Sequence, residues 1–108
     1  MPFFDLGERP EREIFPGVTI RTCWGERIML SFVQFQRAGA VVPTHQHPHE
    51  QMGMGIEGEF ELEIDGEARI IHPGDTYCVP GNTPHRARSV GGPARALDIF
   101  APVREDYK

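Results

Sequence analysis

The chain has 108 residues, among them 12 Gly and 10 Pro, and its 16 acidic residues outnumber its 11 basic ones. Gly and Pro weaken helix interiors, and the longest interval free of both is residues 26–38. This composition therefore excludes helical bundles, coiled coils and transmembrane helices. The net charge of −5 argues against nucleic acid as a partner, and the length predicts a single domain over residues 1–108.

Turn residues divide the chain into short segments that favour β-strands. In chain order, the predicted strands are Val18–Trp24, Arg27–Gln36, Ala40–His47, Gln51–Glu57, Glu59–Ile64, Glu67–His72, Asp75–Val79, Pro84–Ser89 and Ala94–Ala101. Arg27–Gln36 is apolar at odd and even positions alike, which favours a strand covered on both faces over a short helix. Asp65-Gly66 supplies the two positive-φ residues of a tight hairpin. The series predicts an all-β fold, a small antiparallel barrel or jelly roll.

The chain contains two cysteines, Cys23 and Cys78, which are too few for a disulfide scaffold and form no Cys-x-x-Cys pair. Residues 1–10 lack the basic-then-apolar arrangement of a secretory signal. We therefore expect two reduced thiols in a cytoplasmic protein, and a single disulfide between them is the alternative.

Three of the five histidines lie between residues 44 and 51. On a strand, His45 and His47 point to the same face, so both imidazoles can reach one ion. Gln51 follows four residues later, across a turn that contains Pro48, and can return to the same centre. A strand that pairs with the first would bring His85 in as a third imidazole. The alternative is an exposed polar loop that happens to be rich in histidine.

Three further residues near this pattern have weaker claims to a metal. His49 and Glu50 are alternative ligands, although a strand-turn-strand path points them inward less consistently. His72 comes just before Pro73-Gly74, where we expect a solvated residue at the end of a strand.

The spacing of these residues resembles the two motifs of the cupins, which are small β-barrels. The first motif covers residues 39–58 and the second covers residues 74–89. They are formed by Gly39, His45, His47, Gln51 and Gly58, and then by Gly74, Pro80, Asn82 and His85. The chain departs from the pattern where Gln51 replaces Glu, Asn82 replaces Gly and Ser89 replaces Asn. Three imidazoles and an amide are neutral, so a bound divalent ion would keep its full charge, which favours a Lewis-acid role over a redox role.

The last predicted strand places Asp98 and Phe100 on one face, and Leu97 and Ile99 on the other. Both faces carry bulky apolar residues, so Asp98 points into or near an enclosed space, where a carboxylate needs a partner or a function. Such a group is a candidate general acid or base. Arg104 follows six residues later and could clamp a substrate carboxylate. The alternatives are a structural ion pair between Asp98 and Arg104, or a solvated Arg104.

The histidine pattern and the ending from Asp98 to Tyr107 resemble the KdgF-type pectin-degradation cupins. The resemblance implies a metal-dependent isomerase or tautomerase that converts 4,5-unsaturated uronate monosaccharides, released from pectin or alginate, to linear 4-deoxy-5-keto-uronates. It implies one divalent transition metal, for which Zn, Ni, Mn, Fe and Cu remain open. The metal ligands that it implies are His45, His47, Gln51 and His85, and the implied substrate-handling residues are Asp98, Phe100 and Arg104.

Other functions fit the same motifs. One is a metal-dependent cupin oxygenase, another is a non-catalytic cupin that binds a sugar or metabolite, and the third is a purely structural barrel. The apolar character of both faces of Arg27–Gln36 also predicts a homodimer, as is common for small cupins.

Overall fold

The computed structural model describes residues 3–108, which form an antiparallel structure of eight strands and two short 3₁₀ helices. The helices are Leu6–Glu8 and Glu105–Tyr107. The strands are β1 (Arg12–Phe15), β2 (Val18–Trp24), β3 (Met29–Phe35), β4 (Val41–His45), β5 (Glu50–Ile64), β6 (Glu67–Ile71), β7 (Thr76–Val79) and β8 (His85–Ala101). No helix in this described range is long and apolar enough to cross a membrane.

Two long strands, β5 and β8, connect the two halves of the fold. They pair with each other along most of their length, and the strand order is β1-β2-β3-β8-β5-β6. The first half of β5 also pairs with β7, and the first half of β8 also pairs with β4. The same two strands therefore contribute to both layers of a jelly roll, which confirms the predicted all-β, cupin-type fold.

Each long strand joins two segments that the sequence predicts as separate strands. Gly58 does not end β5, but lies at a shift in its register with β8, with a φ of 68°. Opposite it, the pairing passes from Glu57–Arg95 to Glu59–Val90, so residues 91–94 bulge from β8 without ending it. A Cβ on residue 58 would collide with the Pro93 carbonyl, and this close approach explains why glycine is needed there.

Two local predictions are confirmed, the hairpin at Asp65-Gly66 and the strand within Arg27–Gln36. Asp65 and Gly66 have φ values of 50° and 85°, and they join β5 to β6 in register. The segment Arg27–Gln36 contains strand β3, which lies between β2 and β8 rather than forming a helix. Strand β1 was not predicted, because its four residues are exposed or half-buried and carry no alternating apolar signal.

The two cysteines lie in one row of the sheet, with three strands between them. Cys23 of β2 and Cys78 of β7 are both free, the first buried and the second exposed. Four strand spacings separate them, about 19 Å, whereas a disulfide needs Cα atoms within about 7 Å. A disulfide within the chain is therefore excluded by the fold.

The apolar core occupies one end of the space between the layers. Phe35 of β3 and Phe60 of β5 stack there, with ring centres 5.5 Å apart. Val18 and Ala94 are buried beside Phe35 at the same level of the sheet. The same strands present polar inward side chains toward their other ends, so the core supports one end of the barrel and leaves the other for a site.

Candidate functional site

Three histidines meet at the polar end of the barrel. His45 ends β4 and His85 begins β8, and the two residues pair directly across these strands. His47 lies two residues beyond β4, and one ligand atom of each imidazole lies within 4.8 Å of the others. The ring centres of His45 and His85 are 4.3 Å apart, and those of His47 and His85 are 4.9 Å apart. Strand pairing therefore brings the distant His85 to the local His-x-His pair.

Backbone carbonyls fix the orientation of all three rings. The Nδ1 atoms of His45, His47 and His85 lie 2.9, 3.1 and 2.8 Å from the carbonyl oxygens of Pro43, His49 and Thr83. A carbonyl only accepts, so each Nδ1 carries the proton and each Nε2 keeps its lone pair. The Nε2 atoms of His47 and His85 are buried and have no hydrogen-bond partner within residues 3–108. Converging lone pairs without donors suit a divalent metal ion, for which carbonyl-anchored imidazoles are common ligands.

The electrostatics of the cluster favour neutral imidazoles. Burial lowers the pKa of His47 to about 4, and the nearby positive charge of Arg104 adds to the effect. Burial also lowers the pKa of His85. A histidine must be neutral to bind a metal, so at neutral pH these two side chains need not lose a proton first.

Gln51 joins the same cavity from β5. It is 7% exposed and pairs with Phe100 of β8 on one side and Val79 of β7 on the other. It lines the cavity together with His45 and His85. Its amide oxygen is a neutral atom that could coordinate a metal ion beside the histidines.

The other histidines and Glu50 are not part of the three-histidine cluster. His49 contributes its carbonyl to the orientation of His47, and Glu50 is exposed. His72 lies just beyond β6 with a side chain that is 59% exposed, and its imidazole contacts the carboxylates of Glu59 and Asp75 at 2.9 and 3.2 Å. This placement agrees with the expectation of a solvated residue at a strand end.

Asp98 faces the cavity from β8 and is nearly buried. Tyr77 of β7 donates a hydrogen bond to its Oδ1 at 2.6 Å. Burial raises the pKa of Asp98 to about 6, although hydrogen bonding from Tyr77 and Gln51 and the charge of Arg104 work in the opposite direction. A carboxyl group in this pKa range can both release and accept a proton near neutral pH.

Arg104 lies in the same cavity, but its partner is not Asp98. Its Nε and Nη2 donate to the two carboxylate oxygens of Asp106 at 3.3 and 2.8 Å. The guanidinium carbon is 5.0 Å from the ring centre of Phe100 and 3.7 Å from that of Tyr107. Arg104 is only 7% exposed, so both sequence-based alternatives, an ion pair with Asp98 and a solvated side chain, are wrong.

Phe100 forms the wall between the histidines and Arg104. Its ring is 2% exposed and packs edge-on against His47, with ring centres 5.7 Å apart. The structure therefore brings all seven sequence-predicted site residues to one end of the barrel. They are His45, His47, Gln51, His85, Asp98, Phe100 and Arg104.

Sequence reasoning missed three neighbours of this site. Tyr77 holds Asp98, Asp106 holds Arg104, and Tyr107 covers the guanidinium. Tyr77 alternates with the buried Val79 along β7, which is a signal for an inward side chain. The other two lie in the short helix after β8, for which the sequence carries no comparable signal.

Comparison with known proteins finds one matching family and three similar proteins. Residues 31–100 match the family model described as Cupin domain. The chain is 32% identical over 107 residues to the pectin degradation protein KdgF of Dickeya dadantii, covering 98% of this chain and 90% of that protein. The solved structure of KdgF from Halomonas sp. superposes with a TM-score of 0.91 and 34% identity, covering 100% of this chain and 99% of that one. An RmlC-like cupin from Shewanella frigidimarina also gives a TM-score of 0.91, with 27% identity over 100% of this chain and 96% of that one.

Proposed function

The chain belongs to the cupin family, among the KdgF-type pectin-degradation proteins, and on this basis we propose that it linearises 4,5-unsaturated uronate monosaccharides. The observation that carries the proposal is the meeting of two groups in one cavity. Three histidines with converging ring nitrogens lie beside a buried carboxyl group and a buried arginine. The first group suits a metal, and the second suits an anionic substrate that must gain and lose a proton.

The proposed substrate is a cyclic enol ether that carries a carboxylate on its double bond. Removal of the C1 hydroxyl proton and cleavage of the bond between C1 and the ring oxygen release C1 as an aldehyde and leave an enolate at C5. Protonation of this enolate at C4 then gives the 5-ketone. The reaction is an isomerisation, because the proton lost from the C1 hydroxyl is balanced by the proton gained at C4.

The histidines and Gln51 would hold the metal. A divalent transition metal bound by His45, His47, His85 and Gln51 would act as a Lewis acid toward substrate oxygens. The carbonyl-bound Nδ1 atoms keep the three rings in place before any ligand arrives, so little ordering is left for binding.

Asp98 would move the proton. Its carboxylate form can accept the proton of the C1 hydroxyl, and its acid form can deliver a proton to C4. A pKa of about 6 leaves both forms accessible near neutral pH. The buried position also keeps bulk water away from the transferred proton.

Arg104 and Phe100 would hold the sugar acid. The guanidinium is ordered before substrate binds, since Asp106 holds one edge and two aromatic rings flank it. Such an arginine can pair with a substrate carboxylate at low entropic cost. Phe100 would supply an apolar wall for the sugar ring between Arg104 and His47.

Product analysis distinguishes this function from its rivals. Metal-loaded protein is mixed with freshly generated unsaturated galacturonate, and the reaction is followed by proton NMR and an oxygen electrode. We expect the vinyl proton at C4 to be replaced by the C4 methylene of a linear 5-ketone, with no oxygen uptake. Oxygen uptake would favour the oxygenase, and binding without conversion would favour a non-catalytic metabolite-binding cupin.

We further propose that two copies of the chain pair through the outer face of the sheet. The outward side chains of β3, Leu30 and Phe32, lie beside Leu97 of β8. Together they form an apolar surface on which each of the three side chains is only half-buried. On β5 the same surface continues to Met52, which is 52% exposed. A second copy would cover these side chains, and the two-sided apolar pattern of residues 27–36 would then serve a core face and an interface.

We also propose that the protein works in the cytoplasm. Two free thiols, one of them exposed, suit a reducing compartment.

A further inference from the structure

A row of polar residues crosses the inner face of the sheet at one level. Strand register places Thr22, Ser31, Asp98, Gly53 and Tyr77 side by side on five successive strands. Asp98 and Tyr77 are therefore not neighbours, because the whole of β5 lies between β8 and β7. The backbones of Asp98 and Tyr77 are therefore two strand spacings apart, about 9.6 Å. This is too far for the direct contact that side chains on neighbouring strands make.

Gly53 allows these two side chains to meet. It occupies the position on β5 between them, and a Cβ there would lie 2.5 Å from the Tyr77 ring and would collide with Asp98 Oδ1. With no side chain at residue 53, the tyrosine extends over β5 and its hydroxyl reaches the carboxyl group at 2.6 Å. The backbone conformation does not require a glycine here, because Gly53 is not among the residues with a positive φ. The close approach of the two side chains does require it.

The hydrogen bond has a fixed direction. The phenol is buried next to a carboxyl group, and both conditions raise the pKa of Tyr77 far above its usual range. The hydroxyl therefore stays neutral and donates to Oδ1. The distance is that of a short, charge-assisted O–H···O⁻ bond, so Tyr77 holds Oδ1, while the side chain of Gln51 also hydrogen-bonds to the carboxyl group.

We propose that Tyr77 is a positioning residue for Asp98, and that Gly53 makes this positioning possible. The inference rests on the proposed function, in which Asp98 transfers the proton. By holding Oδ1, Tyr77 fixes the plane in which the carboxyl group of Asp98 meets the substrate. Tyr77 itself transfers no proton and acts only through Asp98.

Ser31 offers a matched control on the other side of Asp98. Its hydroxyl is fully buried at the same level of the sheet and has no hydrogen-bond partner within residues 3–108. Ser31→Ala therefore removes a buried hydroxyl next to Asp98 without removing a contact to it. Tyr77→Phe removes a buried hydroxyl together with its contact.

The test compares kcat, KM and bound metal in the wild type, Tyr77→Phe, Ser31→Ala, Asp98→Asn and the double variant Tyr77→Phe/Asp98→Asn. We expect Tyr77→Phe to lower kcat by about 10- to 100-fold, the effect of one hydrogen bond to a charged group. Its KM and metal content should stay within about twofold of the wild type, and Ser31→Ala should keep kcat within the same range. In the Asp98→Asn background, Tyr77→Phe should have no further effect, because the group it positions is gone.

Three results would overturn the positioning role while leaving the proposed function intact. They are an unchanged kcat in Tyr77→Phe, an equal loss in Ser31→Ala, and an undiminished loss in the Asp98→Asn background. A wild type that does not convert unsaturated uronate would instead overturn the proposed function, and the positioning role with it. If Tyr77→Phe fails to fold, Gly53→Ala tests the same contact from the other side, and a folded Gly53→Ala with wild-type kcat would overturn the proposal.

Discussion

Asp98 is a buried carboxyl group that has both a hydrogen-bond donor and a positive charge close by. It is 9% exposed, its Oδ1 accepts from Tyr77, and the positive charge of Arg104 lies close by without forming an ion pair with it. Burial raises its pKa while these partners lower it, and the balance of about 6 keeps the acid and base forms both within reach. This balance, rather than the presence of a carboxylate alone, suits the residue to proton transfer.

Replacement of Asp98 by asparagine tests this role. Asn keeps the shape of the side chain but cannot transfer a proton, so we expect Asp98→Asn to lower kcat by about 10²–10⁴-fold. Metal content measured by mass spectrometry should equal that of the wild type, because the three histidines are unchanged. Unchanged turnover would remove Asp98 from the mechanism.

The histidine cluster provides a second test at the level of single residues. His47→Ala deletes one of three converging ring nitrogens, and we expect it to lose bound metal and activity together. His72→Ala is the matched control, since this histidine is exposed and its imidazole pairs with Glu59 and Asp75 rather than with the cluster. Metal that stays bound to His47→Ala, or is lost equally from His72→Ala, would contradict the ligand assignment.

At the scale of the strands, the bulge between β5 and β8 lets two long strands serve both layers of the barrel. Gly58 has a positive φ and lies against the Pro93 carbonyl, so any side chain there is strained by its backbone and by its neighbour. Gly92, close to the same bulge, has nothing within 4 Å of the position of a Cβ.

These two glycines should respond differently to alanine. We expect Gly58→Ala to lower the free energy of unfolding by about 1–3 kcal/mol or more, and Gly92→Ala to change it by less than about 1 kcal/mol. Urea denaturation followed by tryptophan fluorescence measures both. Equal values for the two variants would show that the bulge does not require glycine at residue 58.

The strands also show which parts of the fold can be predicted from sequence. The hairpin at Asp65-Gly66 was predictable because its signal is local, two residues that tolerate positive φ between alternating segments. The joining of two predicted strands at Gly58 was not predictable, because a glycine between two strand segments indicates a turn unless the partner strand is known to continue opposite it.

The same difference between local and distant signals applies to the site. The sequence predicts that His45, His47, Gln51 and His85 converge, from their spacing and from strand pairing, and this spacing matches the cupin motifs. Strand alternation does not place His47, however, because β4 ends at His45 and His47 lies two residues beyond it. The contact between Tyr77 and Asp98 depends on the register of three strands and on the absence of a side chain at Gly53. The pairing of Arg104 with Asp106 instead of Asp98 depends on how the chain turns after β8.

At the scale of the whole molecule, substitutions on the outer face of the sheet test the proposed dimer. Met52 and Ile56 project outward from β5 and are 52% and 46% exposed, so Met52→Glu/Ile56→Glu places two charges on that face. We expect this variant to sediment as a monomer while the wild type sediments as a dimer, because burying an unpaired charge is costly. Ile70→Glu, at a 39% exposed position on β6, is the matched control and should remain dimeric. A monomeric wild type would exclude the dimer.

The distribution of charge across the molecule also bears on the substrate. The protein carries a net charge of −5, yet the proposed substrate is an anion. Several surface arginines are paired with glutamates, as Arg86 is with Glu63 and Arg21 is with Glu11. Recognition of an acid must then come from the cavity itself, where Arg104 and the three clustered histidines lie, rather than from the overall field of the protein.

The rate of disappearance of the unsaturated uronate tests the central claim most directly. Metal-loaded protein is added to freshly generated unsaturated galacturonate, and the absorbance of the enol ether is followed against the spontaneous reaction, with His47→Ala in parallel. We predict that the wild type accelerates the loss of absorbance in proportion to its concentration and that His47→Ala does not. A wild-type rate equal to the spontaneous rate would contradict the proposed function.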